Sequence, residues 1–106
     1  MPKFLVEATY TAEGHKGLVK DKPSGRKAAV AQAAKKLGGK LDAIYFCLGD
    51  NDVMLIVDMP DHLSAAALSS AACASGMTRT KTTMLLTVDE ADEALSKPVA
   101  YRAPGS

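Results

Sequence analysis

Apolar and polar positions alternate from the third residue. In KFLVEATY, Phe4, Val6, Ala8 and Tyr10 fall on one side and Lys3, Leu5, Glu7 and Thr9 on the other. A period of two over this length predicts a strand, Lys3–Tyr10. TAEGHKGLVKDKP supplies turns and a short helical stretch around His15 to Lys20. Ser24 then suits the N-cap of a helix from Gly25 to Leu37, in which Val30, Ala33, Ala34 and Leu37 form one apolar stripe and Gly38-Gly39 the stop. Lys40–Leu48 and Asp52–Met59 are the next strands, joined by a loop centred on Asp50-Asn51, a pair that tolerates the positive φ of a tight hairpin. Asp61 caps a second helix, His62–Ser75, closed by Gly76. This helix is almost entirely Ala and Ser, a composition that allows close approach to a sheet or a helix. Met77–Leu86 is the fourth strand. Thr87-x-x-Glu90 is a capping box for a third helix, Val88–Ser96, and an irregular tail, 97–106, follows.

The order βαββαβ plus a C-terminal helix predicts an α+β, ferredoxin-like domain over residues 1–96, an antiparallel sheet with helices on one face. The other face should be polar in a monomer. The two middle strands disagree. With Tyr45, Cys47, Val53, Leu55 and Val57 on one side, Ile44, Phe46, Leu48, Met54 and Ile56 occupy the other, and soluble monomers seldom leave such a patch wet. A second copy packed sheet to sheet is the simplest cover, so a homodimer or higher even oligomer is expected. Glu7, Arg79 and Lys81 would then stand as charged groups in an otherwise apolar interface cavity, with Tyr10 and His15 at its mouth. That is the character of a site for a small organic anion.

Totals narrow the partners. The 106 residues are 47% apolar, enough for one core, and contain no tryptophan. No apolar run is long enough to span a bilayer, and no secretory signal opens the chain, so a cytoplasmic location without membrane contact is expected. Net charge is +1 but uneven: residues 1–40 carry nine Lys/Arg against three Asp/Glu, and residues 41–106 four against nine. The basic residues are not interleaved with stacking aromatics, which disfavours nucleic acid. Lys20, Ser24, Gly25 and Arg26 at the expected helix start make a second anion-site candidate, without the glycine spacing of a P-loop. Cys47 and Cys73 lack a CxxC partner and are expected to be small buried hydrophobes. The histidines and hairpin acids form no metal set, and no cofactor is implied.

The ordered segments KFLVEATYTAEGHKGLV, SGRKAAV, LGGKLDAIYFCLGDNDVMLIVDMPD, AAALSSAACASG and TRTKTTMLLTVDEADEAL resemble the GYD domain family over about residues 3 to 95. The resemblance implies a ferredoxin-like domain of the dimeric α+β barrel type and little about activity. The family's Gly-Tyr-Asp hairpin motif falls on Gly49, Asp50, Asn51 and Asp52, with Asn51 where tyrosine is expected. Gly49 is then read as serving backbone geometry and Asp52 as binding turn amides. The expected function is a homo-oligomeric module binding a small organic anion. A cofactor-free enzyme of the dimeric α+β barrel sort (oxygenase or isomerase chemistry) and a ligand-free structural subunit stay open beside it.

Overall fold

The computed structural model describes all residues, 1–106. Its elements are β1 (Lys3–Tyr10), α1 (Ala12–Lys36), β2 (Lys40–Phe46), β3 (Val53–Asp58), α2 (His62–Ala74), β4 (Thr78–Leu85) and α3 (Val88–Ser96). The strands form one sheet in the order β2-β3-β1-β4, every pair antiparallel. This is the α+β βαββαβ arrangement with a C-terminal helix that the patterning predicts. No helix is long and apolar enough to cross a membrane.

The first helix differs from its expected form. It starts at Ala12, not Gly25, and is capped by Thr11, whose hydroxyl accepts from the Gly14 amide at 3.1 Å. Its interior breaks at Lys22, which sits at φ 67° and ψ 157° ahead of Pro23. Proline removes an amide donor and keeps the residue before it out of the helical region, so the break falls there. Ser24 therefore lies inside the second segment and caps nothing. Gly14 also has a packing reason: a Cβ there would run into the carbonyl of Met77, to which the start of α1 is held by the Thr11 amide at 2.9 Å.

The other caps are as expected. Asp61 accepts from the Ser64 amide at 2.8 Å, and in the Thr87–Glu90 box each side chain binds the other's amide, at 3.1 and 2.9 Å. Short side chains let α2 lie close on β4. Ser69 and Thr82 share a 2.7 Å hydroxyl bond, and Thr78 donates to the Ala72 carbonyl at 3.0 Å.

The core joins Phe4 and Val6 of β1 to Leu55 and Val57 of β3, Met59, Ala34 of α1 and Ala65 of α2. Val30, Leu37, Leu41, Ile44 and Leu68 pack around it. Ile44 and Phe46 thus belong to the helix-facing side, which corrects the expected facing. Phe46 pairs with Val53 and Tyr45 with Met54, because the loop 47–52 holds an even number of residues and so pairs odd positions with even ones. A bulge between Leu41 and Ala43 then restores the opposite parity towards Lys40. The open face carries Ala43, Tyr45, Met54, Ile56 and Leu5, with Tyr45 73% exposed.

Candidate functional site

The sequence-derived site residues divide between the two faces of the sheet. Glu7, Arg79 and Lys81 lie on the open face, Glu7 opposite Lys81 and Thr9 opposite Arg79. The Glu7 carboxylate accepts from the Asn51 side-chain amide at 2.9 Å, and neither Arg79 nor Lys81 enters an ion pair within the chain. Tyr10 lies on the helix side at the end of β1, in an edge-on contact with the exposed His15 ring, centroids 5.7 Å apart. Lys20 and Ser24 are exposed. Arg26 is half-buried and pairs with Asp21 at 3.6 Å across the Lys22–Pro23 break.

The hairpin loop is a structural splice. Gly49, at φ 145°, takes the positive φ expected of Asp50-Asn51, and Asn51 does not. Asp52 binds no turn amide. Its carboxylate accepts from the Tyr10 amide at 2.8 Å while its own amide donates to the Ala8 carbonyl at 2.9 Å, which carries the β1–β3 ladder past its last strand pair. Asp50 is exposed, and no three His, Cys, Asp or Glu side chains gather closely enough to hold a metal ion. The cysteines are not buried as expected: Cys47 is half-buried and Cys73 exposed. The Thr80 hydroxyl, 3.4 Å from Cys73 Sγ, lowers that thiol's pKa, with Arg79 a smaller cause.

A family model matches residues 4–95 with the description GYD domain, nearly the whole chain. The chain belongs to the GYD domain family. The comparison with curated proteins gives no match, and neither does the comparison with solved structures. In this GYD domain the motif position occupied by Asn51 is spent on Glu7, so its side chain anchors the loop to the centre of the open face.

A cleft of about 490 Å³ lies on the other side of this GYD domain, between α1, α2 and the sheet. Val6, Ala8, Val53 and Leu55 form its floor. Its walls are short residues, Ala29 and Ala33 on α1 and Ser69 and Ala72 on α2, which explains why the helices leave a gap. Thr78, Thr80 and Ser75 add hydroxyls, Tyr10 closes one end, and Arg26 is the one cation in the lining, with Asp21 beside it. A second, smaller hollow of about 310 Å³ lies on the open face among Leu5, Ala43, Tyr45, Met54 and Ile56, and it is wholly apolar.

The two charged neighbourhoods therefore differ in kind. The open face joins an apolar half, on β2, β3 and part of β1, to a strip with two unpaired cations on β4. The cleft sets one cation into an apolar wall with hydroxyls nearby. Sequence patterning found Tyr10 and Arg26 but assigned them to separate sites. It places Ala33 only on the apolar stripe of the first helix and gives no role to Ala29, Ser69 and Ala72, whose only signal is small size at helical spacing on two helices far apart in sequence.

At the far end of the open face, Asp58 is buried and accepts from Lys3 Nζ at 2.8 Å, with Lys40 at 3.7 Å. Lys3 also reaches Asp42, the bulge residue, at 3.1 Å. The Lys3 hydrogen bond holds the Asp58 carboxyl below its ordinary value, and the same bond, with Asp42 second, raises the Lys3 ammonium. This cluster ties three strands together and serves as a clamp.

Proposed function

We propose that this GYD domain is a homodimeric binding module for a small, largely apolar organic carboxylate held in the cleft between the helices and the sheet. The observation that carries the reading is the cleft itself, of small-molecule size, apolar, with a few convergent polar groups and a single half-buried cation. Arg26 is available to a ligand. Its 3.6 Å contact with Asp21 is longer than the roughly 2.7–2.9 Å of a charge-assisted hydrogen bond, and a planar ligand carboxylate fits a guanidinium in bidentate fashion. Thr78, Thr80 and Ser75 would orient polar substituents, and the Val6–Leu55 floor would take the apolar body. The dimer half of the reading rests on the open face, where Leu5, Tyr45, Met54 and Ile56 need a cover.

The test is a melting screen at neutral pH with aromatic and branched aliphatic carboxylic acids, each beside its uncharged amide. Ligand at about a hundredfold over its Kd raises stability by about 2.7 kcal/mol. Acids should raise the melting temperature and amides should not. Arg26→Gln should cost about 1.5–3 kcal/mol of binding, roughly ten- to a hundredfold in affinity. Arg79→Ala should leave binding intact. Equal shifts from acids and amides, or loss on Arg79→Ala with Arg26→Gln unaffected, would refute the cleft as the carboxylate site. Sedimentation tests the dimer: Ile56→Asp should give monomers, since it would bury an unpaired charge.

A further inference from the structure

The C-terminal helix has no place on its own chain. α3 is amphipathic, with Val88, Ala91 and Leu95 at helical spacing along one stripe, yet none of its residues is buried and it packs extensively against no other element. Val88 is 79% exposed and Leu95 86%. Its capping box is complete, so the helix is built with care at its start and left bare along its apolar side. Isolated helices this short are marginal in water, and most helical stability in proteins comes from packing an apolar face. Leaving that stripe wet would waste the stabilisation that packing supplies.

The charge pattern identifies what covers it. α3 carries Asp89, Glu90, Asp92 and Glu93 and no basic residue. Glu90 is used by the cap, whereas Asp89 and Asp92 flank the apolar stripe on one side, a single turn apart. The open face of the sheet presents the complement: Arg79 and Lys81, in no ion pair within the chain, lie on β4 across Thr9 and Glu7 from the apolar hollow of Leu5, Met54 and Tyr45, and the Glu7 carboxylate opposite Lys81 is engaged by Asn51. Acids three apart on a helix are separated by about 4.5 Å along its axis. Cations two apart on a strand are about 6.6 Å apart, a mismatch that Lys and Arg side chains span.

We propose that α3 of each chain docks on the β4 strip of a second copy, with Val88 and Leu95 against the edge of its apolar hollow and Asp89 and Asp92 on its Arg79 and Lys81. The proposal rests on the sheet-paired dimer of the preceding section and deepens it. The apolar halves of the two sheets face one another, while the β4 strips stay outside that contact and take the two helices. Each copy then gives and receives one arm, as a two-fold pair requires.

The experiment uses the full chain. Light and 15N-labelled protein are mixed in urea, refolded together and treated with a carbodiimide, which joins a carboxylate directly to an amine it touches. Peptides linking Asp89 or Asp92 to Lys81 should appear, with light–heavy pairs as frequent as the like pairs combined. They should disappear in Leu95→Asp, whose sheet dimer should still sediment as a dimer. An Asp92→Lys variant should lose the link from position 92 to position 81, and Asp92→Lys combined with Lys81→Asp should regain it with the roles of acid and amine exchanged. Links found only within single chains would mean that α3 folds back on its own sheet and would overturn the proposal. A dimer by sedimentation without these links would overturn the arm and leave the sheet pairing standing, whereas a monomer would overturn both.

Discussion

Replacing Ala33 by leucine should stabilise the chain, and the same replacement one residue later should destabilise it. Ala33 stands half-buried on the cleft wall, whereas Ala34 is fully buried in the core against its neighbours. A helical leucine leans towards the preceding turn, which at position 33 means towards Ala29, itself a cleft residue. Leucine adds about three carbons, and at about 0.8 kcal/mol for each buried CH2 the gain approaches about 2.4 kcal/mol where the cleft accepts them all. At about 4–8 °C per kcal/mol for a domain of this size, full acceptance would raise the melting temperature by roughly 10–19 °C. Ala34→Leu meets no free space, and overpacking costs about 1–3 kcal/mol.

Urea unfolding of the two variants beside the parent measures the difference. The midpoint should move in opposite directions while the m-value stays constant, the sign that stability alone has changed. The carboxylate-induced melting shift should vanish in Ala33→Leu, because its side chain occupies the ligand's space. If Ala33→Leu is destabilised as much as Ala34→Leu, α1 and α2 close on one another and the cleft does not exist as a binding volume.

Gly14→Ala should destabilise the chain by about 1–3 kcal/mol, since the added Cβ collides with the Met77 carbonyl and the start of α1 must shift; Gly17→Ala, where a Cβ meets nothing, is the neutral or stabilising control in the same thermal melts. The Lys3–Asp58 clamp gives a pH dependence with a defined sign. Asp58's folded pKa lies below its ordinary value, so its contribution is present above the ordinary carboxylate range and disappears as pH falls through the folded value. Lys3's is raised, so its share is present below the ordinary lysine value and is lost as pH rises through the folded one. Urea midpoints against pH should therefore fall less steeply on the acid side in Asp58→Asn than in the parent, and parallel curves would show that the clamp contributes nothing.

Features decided by a few neighbouring residues were legible in the sequence. The Thr87–Glu90 box, the Asp61 cap and the stop at Gly38 each depend on local hydrogen bonds or local φ, and all three stand where the patterning puts them. The first helix departs from its local pattern for the converse reason. Gly14, Gly17 and Pro23 argue locally against a helix from Ala12, but Gly14 is there for a close approach to Met77, sixty-three positions away, which no local pattern contains. Asn51 likewise signals a turn by type, whereas its side chain is committed to Glu7 on another strand. The cleft was invisible because small residues on α1 and α2 say only that something can come close. Whether the space between them is closed or left open depends on which strands each helix lies over.

The facing of β2 against β3 shows where patterning stops and what survives its failure. A strand apolar on one face declares its register, because a slip by one residue exposes its core. β2 and β3 are apolar on both faces, so the even loop 47–52 and the bulge at Asp42 decide the parity, and they decided it against the expected set. Ile44 and Phe46 went to the helices and Tyr45 and Ala43 to the open face. Yet either parity leaves apolar side chains uncovered, because Met54 and Ile56 face away from the helices in both. The argument behind the proposed sheet-to-sheet pairing is thus independent of the register. In the proposed dimer only the groups meeting across this face change, from Phe46 and Ile44 to Tyr45 and Ala43, and with them the residues at which substitution should first separate two copies.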